Sequence, residues 1–150
     1  MRALKMKRYL IFIFFLLFAA YSSEAGPVLP ARIGGSVTVN GIKLTHATSA
    51  GYVFRITGKD GKGFSPPAEN KAGLNKKGIY IIDIPLYDPN SQPEGAKPKS
   101  TAVIHVLKNG VELQVVKPSL GEFTVGKGGS ISTVDLVILS TGKGSAKEKP

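Results

Sequence analysis

The chain has 150 residues, with 20 Lys+Arg against 10 Asp+Glu and a formal net charge of +10. It has no Cys, no Trp and two His. This excludes disulfides, thiolate metal sites, thiol nucleophiles and haem attached through C-x-x-C-H, and leaves little for a His-rich metal centre or an acid/base relay. The length fits one domain.

Residues 1–8 carry four basic side chains and no acid, and residues 9–20 are apolar or aromatic without a break. Small residues follow, with Ser23 and Ala25 at the two positions that a signal peptidase reads. Basic, apolar and small regions in that order predict a secretory signal peptide over 1–25, cut after Ala25. Twelve apolar residues fall short of the roughly 20 that a spanning helix needs, so cleavage is expected over an uncleaved anchor. Removing residues 1–25 takes away four basic residues and Glu24, which lowers the net charge from +10 to +7. The expected destination is periplasmic or extracellular.

Residues 26–32 hold two Pro and read as an extended lead-in. A first strand is expected over 35–40, with Val37 and Val39 on one face. Asn40-Gly41 follows, a dipeptide suited to a tight hairpin turn, and 42–45 would form the return arm. Residues 52–57 alternate with Tyr52, Phe54 and Ile56 inward. The Asp60-Gly61 turn leads into a long loop over 64–78. The clearest strand is 79–84, with Tyr80, Ile82 and Ile84 facing the core, and Pro85 places it at an edge or a ragged end.

Residues 88–100 hold three Pro and read as a second long loop. Strands over 101–108 and 111–116 then flank Asn109-Gly110, a strong short-range hairpin signal. The first of these is apolar on both faces, as a covered central strand would be. Two more strands are expected over 120–125 and 131–139, and residues 140–150 form a basic tail with no core-forming residue. Short strands separated by Gly, Pro and Asn turns predict an all-β fold, an antiparallel β-sandwich of seven to eight strands over 33–139.

Three stretches carry a family pattern. They are 34–41 (Gly-Gly-Ser-Val-Thr-Val-Asn-Gly), 78–85 (Gly-Ile-Tyr-Ile-Ile-Asp-Ile-Pro) and 126–136, which ends in Val-Asp-Leu. In this pattern the chain resembles the immunoglobulin-like and transthyretin-like modules of bacterial secreted proteins, including carboxypeptidase-regulatory-like domains. Ser100 stands where those modules carry an acid before the hairpin. The resemblance implies a non-catalytic binding, spacer or accessory role and brings no site residues with it.

Four constellations bear on chemistry. A triad of Ser49, His105 and Asp83 has no supporting spacing, and no G-x-S-x-G elbow occurs. Asp88, Asn90, Ser91 and Glu94 offer oxygen ligands to a hard cation, but their spacing is not that of the twelve-residue calcium loop, and a solvated turn reads as well. Lys59, Lys62, Lys71, Lys76 and Lys77 crowd the first long loop, and Lys97 and Lys99 the second. If both loops emerge at one end, that rim attracts anionic surfaces; the same lysines also serve solubility. Phe64 in the first loop and Tyr87 in the second would form an apolar platform beside them, or pack back over the core. Without interleaved aromatics the rim is not expected to recognise nucleic acid.

No cofactor or metal is expected, and the shortage of His, Cys and clustered acids argues against an enzyme. The function expected is an exported binding or accessory module that contacts a protein or an anionic glycan through loops or a sheet edge. A structural subunit of a surface assembly and a secreted inhibitor are the alternatives.

Overall fold

The computed structural model describes residues 26–140. The expected signal peptide, 1–25, and all but the first residue of the expected tail lie outside the described residues. Among these residues eleven short strands form rather than the seven to eight expected, since two expected strands divide and short pairings add others: β1 (Ala31–Gly35), β2 (Val37–Val39), β3 (Ile42–Lys43), β4 (Tyr52–Gly58), β5 (Glu69–Asn70) and β6 (Tyr80–Ile84). They continue with β7 (Thr101–Lys108), β8 (Val111–Lys117), β9 (Glu122–Thr124), β10 (Ile131–Thr133) and β11 (Leu136–Leu139). A 3-10 turn, Ser119–Gly121, joins β8 to β9. The described residues are all-β apart from that turn, and no helix among them is long and apolar enough to cross a membrane.

The strands form two sheets. The small one has the order β10-β1-β6, and the large one runs β3-β2-β11-β8-β7-β4-β5, with β9 also paired to β7. The expectation of a wholly antiparallel arrangement is corrected here, because β1 with β10 and β2 with β11 pair in parallel. The physical reason is that two segments change sheets side by side. The expected single strand over 35–40 starts earlier, at Ala31, and divides at Ser36 into β1 and β2. The expected strand over 131–139 divides at Val134 and Asp135 into β10 and β11. Residues Ala31 and Arg32, read as part of the lead-in, therefore belong to a strand.

Inward alternation continues through the first crossing, so Ala31, Ile33, Gly35 and Val37 are all buried. The two crossings lie in contact. A Cβ on Gly35 would stand 2.3 Å from the Val134 carbonyl oxygen, so only glycine permits this approach. Backbone bonds from Val134 to Gly34 (2.9 Å) and from Leu136 to Ser36 (2.9 Å) close the seam. The Tyr80 hydroxyl donates to the Val134 carbonyl at 2.6 Å. Burial pushes the Tyr80 phenol well above its usual range, with the charge of Asp135 adding to the shift.

The buried faces of both sheets share one core. Phe54 of β4 stacks on Tyr80 of β6, with ring centroids 5.1 Å apart and planes 15° apart. Tyr52, Phe54 and Ile56, and Tyr80, Ile82 and Ile84, are buried as their alternation requires. Both Asn-Gly pairs take positive φ: 49° and 80° at Asn40 and Gly41, and 49° and 80° at Asn109 and Gly110. β7 is central, with β4 on one side and β8 and β9 on the other. Its second face is only half-buried at Val103 and Leu107.

Three further expectations are corrected. The loop over 64–78 contains β5, whose Glu69 and Asn70 pair with Arg55 and Phe54. The strand over 120–125 is instead the 3-10 turn followed by β9, because Leu120 takes φ 55°. Ser140, assigned to the tail, is held to Asn40 by a backbone N–H bond of 3.0 Å and a side-chain bond of 2.5 Å.

Candidate functional site

The outer face of the small sheet is built in rows set by register. Arg32 lies between Ile131 and Asp83, and Gly34 lies between Thr133 and Ile81. Arg32 donates to both oxygens of Asp83, at 2.6 and 2.9 Å. This bidentate pair raises the arginine pKa and lowers that of the carboxylate, chiefly through the hydrogen bonds. The next row has no central side chain, because its middle residue is Gly34. The gap becomes a cleft of ≈ 480 Å³, lined by Gly34 of β1 and Ser36 at the crossing, and beside them by Ile81, Ile131 and Thr133.

Lys43 of β3 and the pair Lys77 and Ile79, just before β6, also line it, as do Arg32 and Asp135. Asn75 fixes that second segment. Its side-chain oxygen accepts the N–H groups of Lys77 (2.9 Å) and Ile79 (3.2 Å), and its backbone exchanges bonds with Gly78 and Ile79. Asp135 sits at the crossing, where one carboxylate oxygen accepts both the backbone N–H and the hydroxyl of Ser36 at 2.8 Å. The Ser36 backbone bond, then its hydroxyl, hold the Asp135 carboxyl below the usual range, helped by Lys117 and Lys43.

A carboxyl whose pKa is depressed by folding stabilises the fold above its unfolded pKa, and loses that contribution as pH falls through the folded value. Asp83 and Asp135 both have this sign. Asn at 135 keeps the acceptor and removes the charge. Asp135→Asn is therefore expected to be less stable than the native chain near about pH 7, with the difference shrinking away as pH falls through the lowered pKa of the folded carboxyl. Denaturant midpoints taken across that range test this, and a difference that does not depend on pH would contradict it.

Chemically, the cleft joins aliphatic walls to cationic side chains. Arg32 is engaged by Asp83, but among the described residues no carboxylate lies within 4.0 Å of Lys43 or Lys77. Ser36 is bonded to Asp135, and no imidazole lines the cleft. The arrangement suits an anion carrying an aliphatic part. A sugar ring would find no aromatic face here, since the lining side chains are isoleucines, hydroxyls, the cations Arg32, Lys43 and Lys77, and the single acid Asp135.

The lysines singled out from the sequence do not form one rim. β5 runs antiparallel to β4 and carries the loop from the Gly58 end of the sheet back to the Tyr52 end. Lys59 and Lys62 stay at the first end, as do Lys97 and Lys99, because Lys99 and Ser100 lead into β7 where Ala102 pairs with Gly58. Lys71, Lys76 and Lys77 are carried toward the other end, roughly 20 Å away along seven strand residues. Lys59 pairs with Glu122 at 3.2 Å and Lys71 with Glu69 at 2.8 Å. The Lys97 ammonium lies 5.5 Å from the centre of the half-exposed Tyr87 ring. Phe64 packs against the core, so it and Tyr87 form no common platform. Of the nine candidates, Lys77 alone lines the cleft.

The other constellations resolve differently. Ser49 is buried, accepting the Leu74 N–H and donating to the His46 carbonyl. It lies apart from His105, and Asp83 belongs to Arg32. His105 instead stands between Thr57, 3.0 Å from Nε2, and Glu112, 2.6 Å from Nδ1. The order resembles a nucleophile, base and orienting acid, but the Thr57 hydroxyl donates to the Gly58 carbonyl at 3.0 Å and the residue is 8 % exposed. These bonds tie β4, β7 and β8 together across the sheet. Asp88 accepts the Asn90 N–H at 2.8 Å and closes a local turn.

Comparison with known proteins finds no counterpart: no family model matches the chain, and no curated protein or solved structure is significantly similar to it. The reading of function therefore stands on the cleft's own chemistry. Sequence reasoning missed Lys43, Ile81, Ile131 and Asp135. The available signal was Ile81 on the outward face of an otherwise alternating strand, next to a segment with Gly at 34.

Proposed function

We propose that this chain is an exported, non-catalytic binding module of the bacterial cell envelope, on an immunoglobulin-like or transthyretin-like sandwich, which holds an anionic segment of a partner protein. The reading of export rests on the order of basic, apolar and small residues over 1–25. The reading of binding rests on one observation: Lys43 and Lys77 flank a largely aliphatic cleft with no carboxylate within 4.0 Å of either among the described residues, the one acid of the lining, Asp135, being bonded to Ser36. Two such ammonium groups beside apolar walls favour an acidic ligand that also carries aliphatic groups. The absence of aromatic side chains from the lining favours peptide over glycan.

The test is a titration of the isolated protein with acidic peptides and, in parallel, with anionic oligosaccharides. The double variant Lys43→Glu, Lys77→Glu is expected to weaken peptide binding by about a hundredfold, on the scale of two charge-assisted contacts. Its urea midpoint should stay near the native one, because both side chains are exposed. Unchanged affinity in this variant would remove the cleft from consideration. The mass of the protein recovered from expressing cells tests export, since cleavage leaves a chain beginning at Gly26.

A further inference from the structure

We infer that the partner segment binds as an added β-strand along the free edge of β10, and that it is an extended peptide alternating acidic with aliphatic residues. This rests on the binding role proposed above and names the occupant of that site.

The first support is the hydrogen-bond pattern. In the parallel pair, Arg32 donates to the Ser130 carbonyl at 2.8 Å, and Val134 donates to the Gly34 carbonyl at 2.9 Å. The even-numbered residues 130, 132 and 134 therefore face β1, and the amides and carbonyls of Ile131 and Thr133 face the other way. β10 ends the sheet on that side, and no backbone or side-chain partner within the described residues reaches those four groups. The opposite edge of the small sheet differs: Asn70 of β5 donates to the Ile81 carbonyl at 3.1 Å and caps β6. The open edge is thus β10.

The second support is what stands beside that edge. Ile131 is 77 % exposed and Leu29 is 64 % exposed. The two side chains line one hollow at the start of β10, and Ile131 also lines the Gly34 cleft. An added strand would set alternate side chains against Ile131 and leave its neighbours free, which is how strand addition combines main-chain affinity with side-chain selection.

The third support is charge, which decides the occupant. Lys127 precedes β10, and its carbonyl accepts the Ser130 N–H. Lys43 lies at the far end with Thr133 in the cleft, and neither lysine has a carboxylate within 4.0 Å among the described residues. The one acid at that end, Asp135, is turned to Ser36. A second copy of this chain, with a net charge of +10, or +7 once residues 1–25 are removed, would bring like charge to the edge. An acidic strand meets opposite charge at both ends.

The experiment uses the protein as isolated from expressing cells and a ten-residue peptide alternating Glu and Val. Three control peptides carry Lys in place of Glu, or N-methyl groups on every second amide in one frame or in the other. The acidic peptide should bind and slow hydrogen exchange at the Ile131 and Thr133 amides. N-methylation on the pairing side should weaken it by at least about tenfold, the Lys peptide should not bind, and Lys127→Glu should weaken the acidic peptide with the fold intact. Binding that tolerates both N-methyl patterns and leaves the two amides exchanging freely overturns edge pairing. If that binding is still lost in the Lys43, Lys77 double variant, the cleft keeps its role and only the strand is wrong. Equal binding of the Glu and Lys peptides overturns the acidic occupant, and failure of every peptide to bind overturns the inference as a whole.

Discussion

Phe54→Ala is expected to remove about 4 kcal/mol of unfolding free energy, the scale of a fully buried aromatic replaced by a methyl group. Phe54 is completely buried and stacks on Tyr80, so it is where the two sheets meet. Truncation leaves a cavity bounded by strands whose hydrogen bonds prevent collapse, and the loss therefore includes packing as well as transfer from water. Domains of this size have about 5–15 kcal/mol in total, so the variant should keep only a small margin. Urea unfolding measures it directly. Tyr87→Ala is the comparison, since Tyr87 is half-exposed and touches Lys97; it should cost under about 1 kcal/mol. Equal losses at the two positions would mean that the sheets do not share the core described above.

Gly35→Ala is expected to cost about 3 kcal/mol through overpacking at the seam where both segments change sheets. The new Cβ would lie 2.3 Å from the Val134 oxygen and 2.6 Å from its carbonyl carbon. These are backbone atoms, and they cannot swing aside. The Val134 carbonyl also accepts the Tyr80 hydroxyl, and the Val134 N–H is bound to Gly34. Relief requires the parallel pair β1–β10 to part from β2–β11, which would also distort the floor of the cleft. Gly63→Ala provides the contrast, because its Cβ would have no atom within 4 Å; it should change stability by no more than about 0.5 kcal/mol. If Gly35→Ala were equally harmless, the crossing would be looser than its geometry requires. Loss of ligand binding in a still-folded Gly35→Ala chain would show that the seam also shapes the site.

The legible part of the fold was local. Alternation over 52–57 and 79–84 predicted the inward residues Tyr52, Phe54 and Ile56 of β4 and Tyr80, Ile82 and Ile84 of β6, although Thr57, on the opposite face of β4, is buried as well. The two Asn-Gly pairs predicted their hairpins, because few other dipeptides tolerate two consecutive positive φ values. Where the reading missed, periodicity carried no information. The phase of burial passes unbroken through Ser36, so a strand that changes sheets has the same pattern as one that does not. Leu120 gives no sign in the sequence of the left-handed conformation that breaks the expected strand over 120–125.

The candidate site was less legible. Seven lysines stood out because they were close in sequence, yet β5 carries the first loop the length of the sheet and separates them. Gly34 and Lys43 lie roughly a hundred positions from Ile131 and Asp135, and the two pairs meet only because β1 pairs with β10 and β2 with β11. By itself, then, the sequence determined the class of structure, its turns and the inward face of its main strands, since these depend on neighbours one to four residues away. The tertiary structure alone decided which sheet each half-strand joins, which edge stays open and which cations share a cleft. Those outcomes depend on pairings between residues about a hundred positions apart, such as Ser36 with Asp135, and no local pattern encodes them.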